Sequence, residues 1–204
     1  MMKLYWSPRS PFARKVMVCA HELDLVAQIE IERTLVAMHL PNATVMQANP
    51  LSKLPTLLRD DGPPLYDSLV ICEYLNTLAQ GSLFPSDGEA KWQALRWHAL
   101  GNGWLDALIL WRYERDERKP EEARPDLALA YATKTSATLA QLEIELAQLS
   151  AAPLNIGHFA LGCALDYMDF RFAAFDWRKH APNVAHWFDT TLATRPSFLQ
   201  TVPV

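Results

Sequence analysis

A turn-forming segment in the first third of the chain has groups that suit the binding of a small peptide. Residues 49–55 read NPLSKLP, and the last proline follows an apolar residue and precedes the strand-like run TLL. This pattern favours a tight turn with a cis bond before Pro55, since only about 5–6% of X–Pro bonds are cis and those are usually retained for a reason. Such a turn points backbone N–H and C=O groups outward.

A second binding device follows twelve residues later, where Asp67 and Ser68 precede an apolar helical pattern. This position predicts a helix N-terminus, whose free N–H groups and positive dipole end favour a carboxylate. Turn and helix end together predict a clamp for a small peptide with free carboxylate and amine ends.

The composition narrows the class of protein. The chain has 204 residues, half of them apolar, with a net charge of −4 and a pI of about 5.8. A net negative charge gives no general reason to expect nucleic acid or an anionic membrane as a partner. No apolar run reaches the roughly 20 residues of a membrane span, and the first residues do not read as a signal peptide. We therefore expect a cytoplasmic protein.

The cysteines and histidines predict neither disulfides nor a metal site. Cys19, Cys72 and Cys163 are far apart, lie on apolar helical stripes and form no C-x-x-C motif, so we expect buried side chains in a reduced protein. The six histidines are scattered without metal-ligand spacing.

Element order divides the chain near residue 80. The first 79 residues predict strand, helix, strand, an irregular or helical stretch, two strands and a helix. Ser10 is the expected N-cap of the first helix and Pro11 its first residue. Residues 80–88 predict a linker, and residues 89–204 predict only helices, including a buried central one over residues 155–172.

Four segments of this layout resemble the soluble glutathione S-transferase family. They are SPFARKV from Ser10, NPLSKLPTL from Asn49, DSLVICEYL from Asp67 and LGCALDY from Leu161. The resemblance covers essentially the whole chain, with the motifs in the family's order. It implies an α/β thioredoxin-like N-terminal domain followed by an all-α helical C-terminal domain, a homodimer, glutathione as co-substrate and a role in detoxification.

The resemblance also implies roles for single residues. Ser10 occupies the position where omega-like relatives carry Cys, next to the glutathione sulfur. Leu54, before Pro55, would exchange backbone hydrogen bonds with the cysteine of glutathione. Asp67 would meet the γ-glutamyl amino group, Ser68 the γ-glutamyl carboxylate, and Lys53 the glycyl carboxylate.

The chemistry of a thiol supports a donor role for Ser10. A thiol with a pKa near 8.5 is only a few per cent thiolate at pH 7, and a hydroxyl donor at a helix N-terminus can lower that pKa. Ser10 has no Gly-x-Ser-x-Gly elbow around it, so a nucleophilic role is not expected. Ser7 is the alternative donor.

With serine in place of cysteine, conjugation of glutathione to a small hydrophobic electrophile, or peroxide reduction, is favoured over thiol transfer or dehydroascorbate-type reduction. A non-catalytic glutathione-binding or protein-interaction module is the rival interpretation.

An aromatic stripe on the first long helix of the second domain has two interpretations. Trp104, Leu108 and Trp111 recur at helical spacing, which is typical of core packing. In the family this helix borders the electrophile pocket, so the resemblance makes the same three residues candidate substrate contacts.

One departure from the family pattern concerns the start of the buried helix. Relatives usually carry Ser or Thr followed three residues later by Asp, a reciprocal capping box, whereas this chain has Asn155 and His158. We expect that His158 cannot return the contact, and that His158→Asp stabilises the protein by about 0.5–1 kcal/mol.

Overall fold

The computed structural model describes all 204 residues, which divide into two compact units. Residues 1–91 and 195–204 form the first unit, and residues 92–194 form the second. The sequence-based division placed residues 195–204 with the helical domain, whereas in the structure this segment packs with the first unit. None of the helices is both long and apolar enough to cross a membrane.

The first unit is built on a four-stranded mixed sheet. Its strands are β1 (Met2–Trp6), β2 (Ile29–Arg33), β3 (Thr56–Arg59) and β4 (Gly62–Leu65), in the order β2-β1-β3-β4. β1 pairs in parallel with β2 and antiparallel with β3, which pairs antiparallel with β4. Its helices are α1 (Pro11–Glu22), α2 (Ala43–Met46) and α3 (Ser68–Leu78), and α1 packs against α3. This order and pairing confirm the thioredoxin-like class.

The second part of the chain is helical, as predicted. Its helices are α4 (Gly88–Asp116), α5 (Pro125–Ala151), α6 (Ile156–Arg171), α7 (Trp177–His180) and α8 (Pro182–Thr191). The helix α6 is buried over most of its length, which confirms the predicted central helix. A Cβ at Gly101 in α4 would lie 2.7 Å from the backbone carbon of Ala160, so the close crossing of α4 and α6 requires glycine there.

The C-terminal segment is attached to α1 by polar contacts. This segment contains the short helix α9 (Pro196–Leu199). The guanidinium of Arg195 donates to both carboxylate oxygens of Glu22, at 2.8 and 2.6 Å, and the Ser197 hydroxyl donates to the same carboxylate. Arg14 donates to the Phe198 carbonyl at 3.3 Å. Burial works against the charged form of Glu22, but the hydrogen bonds from Arg195 and Ser197 lower its pKa overall.

The expectation that His158 cannot complete the α6 cap is wrong. Asn155 Oδ1 accepts from the Gly157 N–H at 3.0 Å, and His158 Nδ1 accepts from the Asn155 N–H at 3.2 Å, which makes a reciprocal capping box. The Nε2–H of His158 donates to the Leu149 carbonyl at 3.0 Å. Burial lowers the pKa of His158, so the ring is neutral and has both an acceptor and a donor nitrogen. A neutral imidazole therefore replaces the usual carboxylate.

Candidate functional site

The first element of the site is the N-terminus of α1. The Ser10 N–H donates to the Ser7 carbonyl at 3.1 Å, which closes a turn over residues 7–10. Ser10 is the N-cap as predicted, since its Oγ accepts from the Ala13 N–H at 3.2 Å. A hydroxyl that accepts a hydrogen bond still has its own proton. Capping and donation to a ligand are therefore compatible at Ser10.

The alternative donor, Ser7, has a comparable arrangement. Its Oγ accepts from the Arg9 N–H at 3.3 Å, so its proton is also available. The local geometry therefore allows a donor at either Ser7 or Ser10.

The second element is the turn before β3, where the Leu54–Pro55 bond is cis as the sequence predicts. Neither the N–H nor the C=O of Leu54 makes a hydrogen bond within the protein. The carbonyl of Lys53, by contrast, accepts from the Thr56 hydroxyl at 2.9 Å. The unpaired donor and acceptor of Leu54 match one residue of an extended peptide, which presents one acceptor and one donor in return.

Asn49 holds this turn from inside, a role that sequence reasoning missed. Its side chain is almost fully buried. Its Oδ1 accepts from the Leu51 N–H at 3.1 Å, and its Nδ2 donates to Thr56 Oγ1 at 3.0 Å and to the Lys53 carbonyl at 3.3 Å. One side chain thus fixes both ends of the segment that presents Leu54. The sequence signal that could have identified Asn49 is its position as the first residue of the NPL motif.

The third element is the N-terminus of α3. Asp67 is the N-cap, with Oδ1 accepting from the Leu69 N–H at 3.0 Å, so its second oxygen remains available. The bond between Tyr66 and Asp67 is also cis. Ser68 is the first helical residue and is 1% exposed, yet its hydroxyl makes no hydrogen bond within the protein. The unpaired hydroxyl of this buried residue, beside free helix N–H groups, is a suitable receptor for a carboxylate.

The strand register brings the three elements to one edge of the sheet. Tyr5, near the end of β1, pairs with Thr56 at the start of β3, so the Ser10 loop and the Pro55 turn leave the sheet side by side. Leu57 pairs with Leu65, which sends the chain into α3 at the same edge. Topology therefore brings the sequence-predicted residues of the first unit together.

Comparison with known proteins agrees with this architecture. The model of the glutathione S-transferase N-terminal domain matches residues 9–78, and that of the C-terminal domain matches residues 110–190. A glutathione transferase family member from Pseudomonas fluorescens, solved with bound glutathione, is 37% identical with full coverage of both chains and a TM-score of 0.94. This chain belongs to the glutathione S-transferase family.

One further structure and one further relative extend this comparison. A second structure of a Pseudomonas fluorescens family member, with bound S-(propanoic acid)-glutathione, is 36% identical with full coverage of both chains and a TM-score of 0.90. The uncharacterized GST-like protein YibF of Escherichia coli is 28% identical over 99% of this chain and 98% of its own length.

The three candidate electrophile contacts of this family member differ in what they can offer a ligand. Trp104 is 4% exposed and its indole N–H donates to Thr135 Oγ1 at 3.2 Å, while Leu108 is fully buried. Trp111 is partly exposed and packs against Phe172, with ring centroids 4.6 Å apart. Burial favours a packing role for the first two and leaves Trp111 with surface for a substrate.

The cysteines of this family member are structural. Cys19, Cys72 and Cys163 are each fully buried, as predicted, and none of them is in a disulfide. No group of three or more His, Cys, Asp or Glu side chains is placed to hold a metal ion.

Proposed function

We propose that this protein is a glutathione transferase that activates the thiol of glutathione with the Ser10 hydroxyl and conjugates it to a small hydrophobic electrophile. The observation that carries the proposal is the set of unpaired polar groups at the sheet edge: the Leu54 backbone pair and the buried Ser68 hydroxyl. These groups match the cysteinyl backbone and the γ-glutamyl carboxylate of glutathione. The relative solved with glutathione supports the same ligand.

The remaining contacts to glutathione follow from the ends of the tripeptide. The free oxygen of Asp67 receives the γ-glutamyl amino group, and Lys53 binds the glycyl carboxylate. Pro55 holds Leu54 in the orientation that pairs with the cysteinyl backbone. Each of these assignments uses a group that the fold does not itself use.

Catalysis on this proposal is stabilisation of the thiolate. The Ser10 O–H donates to the sulfur, which lowers the thiol pKa by about 1–2 units, and each unit is worth about 1.36 kcal/mol. The thiol proton goes to solvent. The sulfur then forms a bond to an electrophilic carbon, and the leaving group departs with its electron pair. In peroxide reduction the same thiolate attacks one peroxide oxygen, the O–O bond breaks and water or an alcohol leaves. A second glutathione then converts the sulfenic acid to glutathione disulfide, with loss of water.

The test combines binding with turnover. We expect retention on glutathione-agarose and conjugation of chloro-dinitrobenzene. Retention without turnover of any electrophile or peroxide supports the rival interpretation, a non-catalytic glutathione-binding module. Failure to bind glutathione contradicts both.

The role of Ser10 is separated from its role as a cap by two substitutions. Ser10→Ala removes both the cap and the donor, whereas Ser10→Asp keeps a capping acceptor but has no proton to donate at neutral pH. We expect both variants to raise the thiol pKa of bound glutathione, followed by the ultraviolet absorbance of the thiolate, and to lower kcat/KM by about 10–100-fold. Ser7→Ala is the matched control. A larger loss in Ser7→Ala than in Ser10→Ala would transfer the role to Ser7.

The electrophile side, the assembly and the location complete the proposal. Trp111 is the preferred contact for the electrophile, ahead of Trp104 and Leu108.

We expect a homodimer in the cytoplasm, where buried cysteines stay reduced. Light scattering on the eluted protein checks the assembly, and a mass equal to that of the single 23.1 kDa chain contradicts it.

A further inference from the structure

Arg9 differs from every other arginine of the chain in its contacts. Of the twelve arginines, eleven make an ion pair, a hydrogen bond or a contact with an aromatic ring through their guanidinium groups. The guanidinium of Arg9 makes none and is exposed. Lys53 and Lys119 are the two lysines with no partner for their ammonium groups. Two of these three unpaired cations therefore lie in loops of the proposed glutathione site.

The backbone of Arg9 is held in place although its side chain is not. The turn over residues 7–10 is closed by the hydrogen bond from the Ser10 N–H to the Ser7 carbonyl, and the Arg9 N–H donates to Ser7 Oγ. The side chain therefore starts from a fixed point one residue before Ser10, the proposed donor to sulfur. On the proposed function the reacting sulfur lies at Ser10, so the Arg9 side chain starts one residue away from it, and the ends of glutathione are bound elsewhere.

The charges of glutathione itself are already matched. On the proposed function, Ser68 and the N-terminus of α3 bind the γ-glutamyl carboxylate, Asp67 the amino group and Lys53 the glycyl carboxylate. No carboxylate of glutathione is left for Arg9, and its thiolate already accepts from the Ser10 hydroxyl. A guanidinium presents a planar fork that fits a carboxylate with two parallel hydrogen bonds. A carboxylate for Arg9 would therefore have to come from the second substrate.

We propose that Arg9 binds a carboxylate of the electrophile, so that this transferase selects acidic electrophiles whose acid group lies within a few bonds of the reacting carbon. This inference rests on the proposed function, because it takes the glutathione sulfur to lie at Ser10. The site would accept unsaturated, halogenated or aromatic acids in preference to their neutral amides. The specificity then comes from a residue of the first unit, in the loop that also carries the proposed donor to sulfur.

The size of the preference follows from the exposure of Arg9. An exposed ion pair contributes at most about 1 kcal/mol, which at 1.4 kcal/mol per tenfold corresponds to about fivefold in affinity. Screening by salt acts on exposed charges, with a Debye length of about 8 Å at physiological ionic strength and about 3 Å at 1 M. The preference for the acid should therefore shrink at high salt.

The experiment measures binding of matched conjugates, so that it does not depend on turnover. The probes are S-(2-carboxyethyl)glutathione and S-(2-carbamoylethyl)glutathione, which differ only in the charge of the sulfur substituent, with glutathione itself as the reference. Calorimetry gives the Kd of each probe for the wild-type protein, Arg9→Gln, Arg9→Lys and Lys119→Gln. Lys119→Gln is the matched control, because it also removes one unpaired positive charge.

We expect the wild-type protein and Lys119→Gln to bind the acid about fivefold more tightly than the amide. Arg9→Gln should lose this preference, Arg9→Lys should recover part of it, and the Kd for glutathione should be unchanged. Equal affinity for acid and amide in the wild-type protein overturns the inference and leaves the proposed function standing. Weaker binding of glutathione itself by Arg9→Gln assigns Arg9 to glutathione and overturns it too. If no probe binds, the proposed function and the inference both fail.

Discussion

His158 provides a direct test of how the buried helix α6 is capped. The ring accepts from the Asn155 N–H and donates to the Leu149 carbonyl, and it packs against Trp97 and Trp187 with centroid distances of 5.3 and 6.1 Å. In His158→Asp a carboxylate can still accept from Asn155, but nothing donates to Leu149. The family pattern predicts that this variant is more stable, and the structure predicts the opposite.

The magnitude follows from the contacts that are lost. A buried carbonyl left unpaired costs about 1–3 kcal/mol, and the space vacated by the fully buried ring adds roughly 1 kcal/mol. The retained cap contact gives no net gain over the wild-type protein. We therefore expect a loss of about 2–4 kcal/mol in the free energy of unfolding, or about 4–16 °C in Tm for a chain of this size.

The assay is thermal and denaturant unfolding of three variants. His158→Asp should show the full loss. His158→Gln keeps an acceptor at the third helical position and also has an amide N–H that can donate to the Leu149 carbonyl, so it should lose less than His158→Asp. His186→Asp makes the same change at an exposed position of α8 and should stay within about 0.5 kcal/mol of the wild-type protein. A Tm of His158→Asp at or above that of the wild-type protein would refute the reasoning.

The same histidine predicts a pH dependence. Burial lowers the pKa of His158 in the folded protein below its ordinary value near 6.5, so the unfolded chain binds a proton first as the pH falls. Its contribution to stability is complete above about pH 6.5 and is lost as the pH falls from there towards the folded pKa. His158→Gln should remove this part of the profile. If the free energy of unfolding of that variant changes with pH between 7 and 5 as steeply as in the wild-type protein, groups other than His158 cause the dependence.

Three further predictions concern single buried or partly buried groups. Asn49→Ala should cost about 2 kcal/mol in stability and weaken glutathione binding measured by calorimetry, because its three hydrogen bonds hold the turn; unchanged affinity would contradict the positioning role. Hydrogen bonds from Arg96, against the effect of burial, lower the pKa of Glu145 to about 2, so its contribution to stability should be complete above about pH 4.5 and lost towards pH 2. Glu145→Gln should abolish this acid-range dependence in unfolding experiments, and a retained dependence would exclude Glu145 as its source. Glu22→Gln should lower stability by about 1 kcal/mol and increase proteolysis of the C-terminal segment held by Arg195, and an equal cleavage rate would refute that contact.

Local chemistry made much of the first unit predictable. Ser10 followed by Pro11 is both a cap and a first helical residue, and the structure begins α1 there. Pro55 after an apolar residue predicted the cis turn, and Asp67 the start of α3. In each case a side chain acts on backbone within three residues, so the sequence contains both partners.

Contacts between distant residues were not predictable in the same way. Glu22 meets Arg195 across 173 positions, and no periodicity or motif relates the two. The interpretation of His158 failed for a different reason. The prediction from the sequence assumed a charged imidazole, which has no acceptor nitrogen. The side chain of His158 is 0% exposed, and this burial makes the neutral form the stable one. The neutral form has an acceptor nitrogen. Burial is a property of the folded chain, and it decided the chemistry of the residue.

Two of the residues proposed to bind glutathione, Ser10 and Asp67, also cap helices, and each divides its hydrogen-bonding capacity between the two tasks. The Ser10 oxygen accepts from Ala13 and keeps its proton for the sulfur. One oxygen of Asp67 caps α3 and the other remains for an amino group. A capping residue and a ligand-binding residue therefore have the same local signature in the sequence. A ligand-binding residue differs from a capping residue in the hydrogen-bond donor or acceptor that capping leaves unused. These unused groups can bind one ligand together because the strand register brings several of them to one edge of the sheet.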